Sequence, residues 1–410
     1  MLDIKFIREN PDRVKGAVAS RGYKVDIDKL LKLDEERRKL MKKVEEIKSQ
    51  KKKLGKDERD QASKLKEEEK DIEKNLNEKN ELFNVMMLDI PNIPLASVPV
   101  GKDESENKVV RTIGDKPEFD FEPRDHVELG ELLDIIDVER AAKVSGSRFG
   151  YLKNEAVLLH FALVRWAMDK LMKKGFLPML PPAMVKRETM NAMGFLQHGG
   201  DDETYHFEKD GLYLIGTSEQ SGLPYHMNEI LDEKDMPKKY VAYSTCFRRE
   251  AGSYGKDVKG IMRVHQFDKL EMLMITTPDE SEKQLGELVG LEEEIMQDLK
   301  LPYQVVQLCT GDLNDPSAST IDIETWLPSQ KKYRETHSAS TTTDFQARRL
   351  NLRYKKDNKN TFCHCLNATA ITARVLIAIL ENFQQKDGTV EIPKVLRPYM
   401  NKIKKISPKK

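Results

Sequence analysis

From Asp26 to about Ile90 the chain is patterned in alternating steps of four and three. Leu33, Arg37, Leu40, Val44, Ile47, Lys51 and Leu54 form one series, and Leu65, Glu69, Ile72, Leu76, Lys79, Phe83, Met86 and Ile90 a second. Both are heptad seams, mostly apolar with some charged members. Leu54-Gly55-Lys56 interrupts them. Two helices of similar length joined by a tight turn fold back as an antiparallel hairpin. A helix of about 30 residues is about 45 Å long. The other positions are too charged to be packed all round, so the pattern predicts a projecting arm. Residues 1–25 read as a short helix and a turn ahead of it. Pro91, Pro94, Pro99, Pro117 and Pro123, with Gly101 and Gly114, make residues 91–127 a connector.

Further on, helical and strand periods alternate. Ala156–Lys174 has apolar residues at helical spacing, and the prolines of the following GFLPMLPPAMV favour an extended edge or interface segment. Tyr213-Leu214-Ile215 runs as a strand into the polar turn Gly216-Thr217-Ser218-Glu219. Two apolar-rich runs flank a loop holding Gly252, Gly255 and Gly260, which reads as a hairpin of two long strands over Thr245–Ile275. Asp279–Leu299 reads as an amphipathic helix, Pro302–Leu308 and Ile321–Trp326 as strands, and CLNATAITARVLIAILENFQ as strand, turn and helix. The lysine-rich C-terminal residues read as a solvated tail.

Lys+Arg and Asp+Glu are equal at 69 each. Global charge therefore announces no nucleic-acid partner, and any basic surface must be local. One such place is the arm's tip. Lys48, Lys51, Lys52, Lys53 and Lys56 gather at the end of its first helix, while Asp57, Glu58 and Asp60 begin the second. Compensation of the helix dipoles explains this; so does contact with nucleic-acid phosphates, and the two are compatible. Cys246, Cys309, Cys363 and Cys365 contain no CxxC pair, which argues against a zinc knuckle. On a strand Cys363 and Cys365 share one face and His364 takes the other. The thiols fit a reducing compartment. The charged N-terminal MLDIKFIRENPDRV has no apolar signal region, and no run of about 20 apolar residues occurs. The expectation is a cytoplasmic protein with no membrane partner.

The hairpin holds the densest chemistry. Residues two or four apart share a strand face, which groups Arg248 with Glu250, and Arg263, His265, Phe267, Lys269 and Glu271 with one another. Such a face makes a poor core. It suits a ligand that is anionic, planar and partly cationic. FRREAG followed by RVHQFDKLE resembles motif 2 of the class II aminoacyl-tRNA synthetases, in the form found in the seryl-tRNA synthetases. The likeness continues along the chain. The helix and extended segment around Pro181 and Pro182 look like motif 1, which forms the class II dimer interface. Thr217-Ser218-Glu219 looks like the family's Thr-x-Glu around the amino acid. Glu335 and Ser338 match its E-x-S-S ahead of DFQARR, while His337 departs and reads as a packing variant in a loop. The segment from Cys365 to Gln384 looks like motif 3, with one residue fewer between Asn367 and Arg374 than in the family. The arm resembles the family's N-terminal tRNA-binding domain.

The resemblance implies an α+β fold. An all-α tRNA-binding domain, residues 1–100, would carry an antiparallel coiled coil at about 26–90 and precede an antiparallel-sheet catalytic domain, residues 101–410. It implies ATP and Mg²⁺ as cofactors, L-serine and tRNA(Ser) as partners with tRNA(Sec) left open, and a homodimer. Arg248, Arg263 and Arg374 would be catalytic. Arg248, Arg249, Glu250, Val264, Phe267, Glu335, Thr336, His337, Ser338 and Arg374 would bind ATP, with Glu335 and Ser338 on Mg²⁺. Thr217, Ser218, Glu219, Arg248, Glu271, Asn367 and Thr369 would bind serine. The tip lysines of the arm, with Lys256 and Lys259 of the hairpin loop, would contact tRNA. Two other readings are a ligase of the same fold that charges a carrier protein, against which the arm argues, and a catalytically dead tRNA-binding scaffold, against which the retained charged groups argue. No G-x-x-x-x-G-K-[ST], G-x-G-x-x-G or H-E-x-x-H sequence is present.

Overall fold

The computed structural model describes residues 1–55, 58–251, 257 and 259–409. The chain divides into two compact units, Met1–Ile93 and Pro94–Lys410. The first opens with two short helices, α1 (Ile4–Glu9) and α2 (Pro11–Ser20), where one helix and a turn were expected. Pro11 starts the second helix because its missing N–H costs nothing in a first turn. Two long helices follow, α3 (Ile27–Lys53) and α4 (Arg59–Leu88). Asp26 caps α3 by accepting from the Lys29 N–H at 2.9 Å.

The charged seam members pair across the hairpin. Lys51 Nζ lies 2.5 Å from Glu69 Oε2, and Lys79 Nζ lies 2.6 Å from Glu36 Oε2. The Arg37 guanidinium sits 3.7 Å over the Phe83 ring while its Nε–H donates to Asn80 at 2.7 Å. Leu33, Val44, Ile47 and Phe83 are buried as the heptads require; at the end of α4 it is Met87, not Met86, that is buried.

The second unit is built on an eight-stranded sheet. Its strands are β1 (Lys108–Ile113), β2 (Leu177–Met179), β3 (Lys238–Phe247), β4 (Gln266–Thr276), β5 (Tyr303–Gln307), β6 (Ser319–Leu327), β7 (Lys332–Thr343) and β8 (His364–Thr372). They lie in the order β1-β5-β6-β7-β8-β4-β3-β2. Every pairing is antiparallel except that of β2 with β3. Pro178 sits on the edge strand β2, where a missing N–H breaks no ladder.

Helices α5 (Asn154–Lys173), α6 (Ser281–Leu299) and α7 (Ala373–Asn382) share the principal core with this sheet. Along β4 the alternation is clean. Leu270, Met272 and Met274 enter that core, while Leu273 and Ile275 enter a second apolar cluster on the other side. By alternation Phe267, Lys269 and Glu271 continue the second face beyond the cluster, with Phe267 also packed against the principal core.

The C-terminus corrects the expectation of a solvated tail. A short strand β9 (Val390–Glu391) pairs with β10 (Lys405–Ile406). Ile406 is only 1% exposed and Ile403 packs on the same core. Among the described residues no helix is long and apolar enough to cross a membrane.

Candidate active site

The exposed end of the β4 face opens into a cavity. Its wall includes Thr217, Glu219, Arg248, Glu250, Arg263, Val264, Phe267, Lys269, Glu335, Thr336, Ser338, Asn367, Thr369 and Arg374. These residues come from the turn after the strand Leu212–Leu214, both ends of the β3–β4 hairpin, the middle of β7, the end of β8 and the start of α7. Antiparallel pairing of β7, β8, β4 and β3 brings them together.

The hairpin begins its second strand later than expected. Arg263 and His265 precede β4, so they do not share its pleat. Arg263 still reaches the cavity, because its Nη1 lies 2.5 Å from Glu250 Oε2. Glu250 itself stands in the left-handed region at φ 52°, not on a strand. His265 is half-buried outside the cavity, with Nδ1 3.0 Å from the Arg248 carbonyl.

Ion pairs organise the wall. Arg374 Nη1 donates to Glu335 Oε2 at 2.9 Å and to the Glu335 carbonyl at 3.0 Å. Burial raises the Glu335 carboxyl, yet Arg374 outweighs it and holds the group below the ordinary carboxylate range. Lys269 Nζ stands 2.5 Å from Oε2 of Glu271, which has no exposure. Burial pushes Glu271 up, against the pull of Lys269. Burial likewise pushes Glu219 up to about 7, although Gln346 donates to it at 2.6 Å. Arg248 differs from Arg263 and Arg374 in having no carboxylate partner among the described residues. Its Nε–H donates to the Gly216 carbonyl at 3.1 Å, and its guanidinium lies 5.2 Å from the Phe267 ring centre.

Four expected residues do not line the cavity, and one of them is Glu271, wholly buried against Lys269. Ser218 is buried with its hydroxyl donating to the Ala242 carbonyl at 3.2 Å. Arg249 lies over the Tyr205 ring at 5.3 Å. His337 alternates away from Thr336 and Ser338 on β7 and has no exposure. It is therefore no loop residue: it sits inside a strand.

On the arm, Lys48 lies 2.9 Å from Glu73 and Lys51 is paired with Glu69, whereas Lys52 and Lys53 are exposed in the last turn of α3. Lys259 is exposed; Lys56 and Lys256 lie outside the described residues.

Sequence profiles and relatives agree with this architecture. The seryl-tRNA synthetase N-terminal domain matches residues 1–94, and the tRNA synthetase class II core domain (G, H, P, S and T) matches residues 205–383. A serine–tRNA ligase from Petrotoga mobilis is 45% identical over 98% of this chain and 99% of its own. The chain belongs to the seryl-tRNA synthetases. The Thermotoga petrophila serine–tRNA ligase is 47% identical over 97% of this chain and 98% of its own. Among solved structures, the Pyrococcus horikoshii seryl-tRNA synthetase complexed with ATP superposes with a TM-score of 0.93 at 40% identity, with complete coverage of both chains. The cytoplasmic Naegleria fowleri enzyme in complex with AMP gives 0.91 at 35%, covering 100% of this chain and 99% of that one.

This seryl-tRNA synthetase also places in and behind the cavity residues to which sequence reasoning gave no role. Lys269, Asn314, Ser317 and Ser340 line the wall. Behind it lie Asp322 and Glu292, both raised well above the carboxylate range by burial. Glu292 has no exposure, and the Thr369 backbone N–H is the polar group that faces its carboxylate. Its signal was available: it is a carboxylate within the apolar stripe Leu285, Leu288, Ile295 and Leu299 of α6.

Proposed function

We propose that this serine–tRNA ligase makes seryl-adenylate in the β4 cavity and then transfers the seryl group to the 3′ end of tRNA(Ser). The observation that carries the assignment of roles is the convergence of Arg248, Arg263 and Arg374 around an aromatic ring and a held carboxylate. Arg263 Nε is buried with no hydrogen-bond partner. Such an orphaned donor is costly unless an anion takes it.

In the first step a serine carboxylate oxygen attacks the α-phosphorus of ATP, and the bond to the pyrophosphate oxygen breaks. The nucleophile is already ionised, so no general base is required. Catalysis is in-line positioning plus neutralisation of charge on the phosphates. Arg248, Arg263 and Arg374 supply the positive charge, and Phe267 offers adenine a face. In the second step a terminal ribose hydroxyl attacks the seryl carbonyl, losing its proton as AMP leaves.

Glu335, kept ionised by Arg374, and the Ser338 hydroxyl form a hard oxygen pair suited to Mg²⁺. Among the described residues no group of three or more His, Cys, Asp or Glu could hold a metal. An ion that takes most of its ligands from substrate phosphates and water needs no such group, so these residues fit Mg²⁺ arriving with ATP. Bound there, it would neutralise phosphate charge.

Glu271 and Thr369 face each other across β4 and β8. Thr369, Asn367, Thr217 and Glu219 line the serine end of the cavity, with Glu271 buried against Lys269. A buried acceptor for the hydroxyl rejects alanine by leaving itself unpaired, a loss of about 1–3 kcal/mol.

ATP–pyrophosphate exchange tested over the twenty amino acids is expected to respond to serine, and no response to serine would overturn the cavity assignment. The same assay has an expected pH dependence. Glu219 is neutral below about 7 and ionised above it. Its ionised form is the one that attracts the serine ammonium, so the serine KM is expected to fall as pH rises through about 7. A KM independent of pH there would remove Glu219 from ammonium recognition.

The motif 1 segment supports a homodimer. Phe161 on α5 is 56% exposed and Leu180 beside β2 is 78% exposed. With Val164, Met168, Pro178, Met179 and Tyr243 they line one apolar hollow. Exposed apolar patches of this kind mark association surfaces. Sedimentation is expected to give twice the 47.2 kDa chain mass, and Leu180→Asp to shift the protein toward monomer; a wild-type monomer would refute this. The four cysteines are free and buried, which fits the cytoplasmic location that goes with this reading.

A further inference from the structure

Strand β8 carries an irregularity at Ala370. Leu270 pairs with Ile371, but Glu271 pairs with Thr369, so Ala370 is an extra residue on β8 opposite no partner on β4. This is a β-bulge. It sets Thr369, not Ala370, opposite Glu271. On the other side of β8, the ladder with β7 ends at Ala339 and Ala368 and does not reach Ala370. The Ala370 carbonyl thus lies buried between two interrupted ladders.

His337 fills the gap. Its Nε2 lies 3.1 Å from the Ala370 carbonyl, and its Nδ1 lies 2.9 Å from Thr336 Oγ1. A carbonyl only accepts, so Nε2 carries a proton. Thr336 Oγ1 lies 2.7 Å from Thr325 Oγ1. One neutral arrangement satisfies this chain: Thr325 donates to Thr336, Thr336 donates to Nδ1, and Nε2–H donates to Ala370. The Thr336 hydroxyl also lies 3.2 Å from the Ile323 carbonyl, but donating there would leave the buried Nδ1 without a donor.

We propose that His337 is a positioning residue for serine recognition: through Nε2–H it pins the Ala370 bulge and so holds Thr369, the strand partner of Glu271, at the cavity wall. This rests on the assignment of Thr369 to serine. His337 acts only through the backbone and touches neither substrate. Its effect should therefore appear at the serine end of the cavity and not at the nucleotide end.

The test is ATP–pyrophosphate exchange on the full chain with His337→Ala, His337→Gln, His337→Asn and Thr369→Val. A glutamine amide can reach the position of Nε2–H; an asparagine amide is too short. The serine KM is expected to rise about tenfold in His337→Ala and His337→Asn, with the ATP KM little changed, and to return to within about threefold of wild type in His337→Gln. Equal serine KM values for the Gln and Asn variants would overturn the proposal, as would parallel rises in both substrates' KM values. The Gln–Asn comparison decides the matter even where the alanine variant fails to fold. If Thr369→Val raises the serine KM and the His337 variants do not, the pocket assignment stands and the positioning role falls. If Thr369→Val leaves the serine KM unchanged, the pocket assignment itself fails.

Discussion

Arg248→Ala is expected to slow adenylate formation by about 10²–10³-fold, the range for removing a preorganised donor aimed at developing charge, about 2.7–4 kcal/mol. Among the arginines of the cavity it is the most exposed to this loss. Arg263 is held by Glu250 and Arg374 by Glu335, so part of each positive charge is already answered. Arg248 is instead fixed by the Gly216 carbonyl and by Phe267, neither of which neutralises it. The Nε–H is used for positioning, leaving the terminal N–H groups of the fork for phosphate. Single-turnover measurement of pyrophosphate release separates this effect from binding. Arg248→Lys should fail to restore the rate, because an ammonium lacks the planar fork and cannot hold Gly216 and phosphate together. A loss of only a few-fold in the alanine variant, with the fold intact by circular dichroism, would mean that the hairpin does not bind the reacting phosphate.

Why that residue could be found from sequence, and others could not, has a physical basis. The period of two along β4 brings Phe267, Lys269 and Glu271 to one face, and the cavity uses that face. The same period extended back to Arg263 and His265 fails, because the strand starts at Gln266. Heptads in the arm remain legible despite Arg37, Lys51, Glu69 and Lys79, since each charged seam member meets a partner on the facing helix. No short-range pattern announces that Glu335, Arg374 and Glu250 converge. That depends on β7, β8 and β4 being neighbours in the sheet, and only the family resemblance supplied it. His337 reads as a loop residue in the sequence because the polar run 335–340 hides the long strand β7 that buries it. The lysines of the C-terminus hid Ile403 and Ile406, whose spacing was the only sign of a docking segment.

Excision of residues 40–75, with Lys39 joined to Leu76 through a short turn, is expected to divide the two half-reactions. Glu36 with Lys79, and Arg37 with Asn80 and Phe83, lie just beyond the cut and can close the shortened hairpin. Leu30, Leu33, Phe83 and Met87 keep the base of the arm packed. The cavity belongs to the other compact unit, and sites that share no partners are close to additive. Serine-dependent exchange should therefore stay within about twofold of the full chain on the same grounds. Aminoacylation of tRNA(Ser) should be abolished, because the excision removes the exposed Lys52 and Lys53 and every other candidate phosphate contact of the arm. The salt dependence provides an independent reading. Each lost phosphate contact flattens the slope of log K against log salt by about 0.7–0.9, so residual tRNA binding by the excised chain should respond less to salt than that of the full chain. Lys48 and Lys51 are engaged with Glu73 and Glu69. If they release those carboxylates to take phosphate, Glu69→Gln should strengthen tRNA binding while weakening the arm. A joint collapse of exchange and charging in the excised, folded protein would show that the arm supports the catalytic unit as well as binding tRNA.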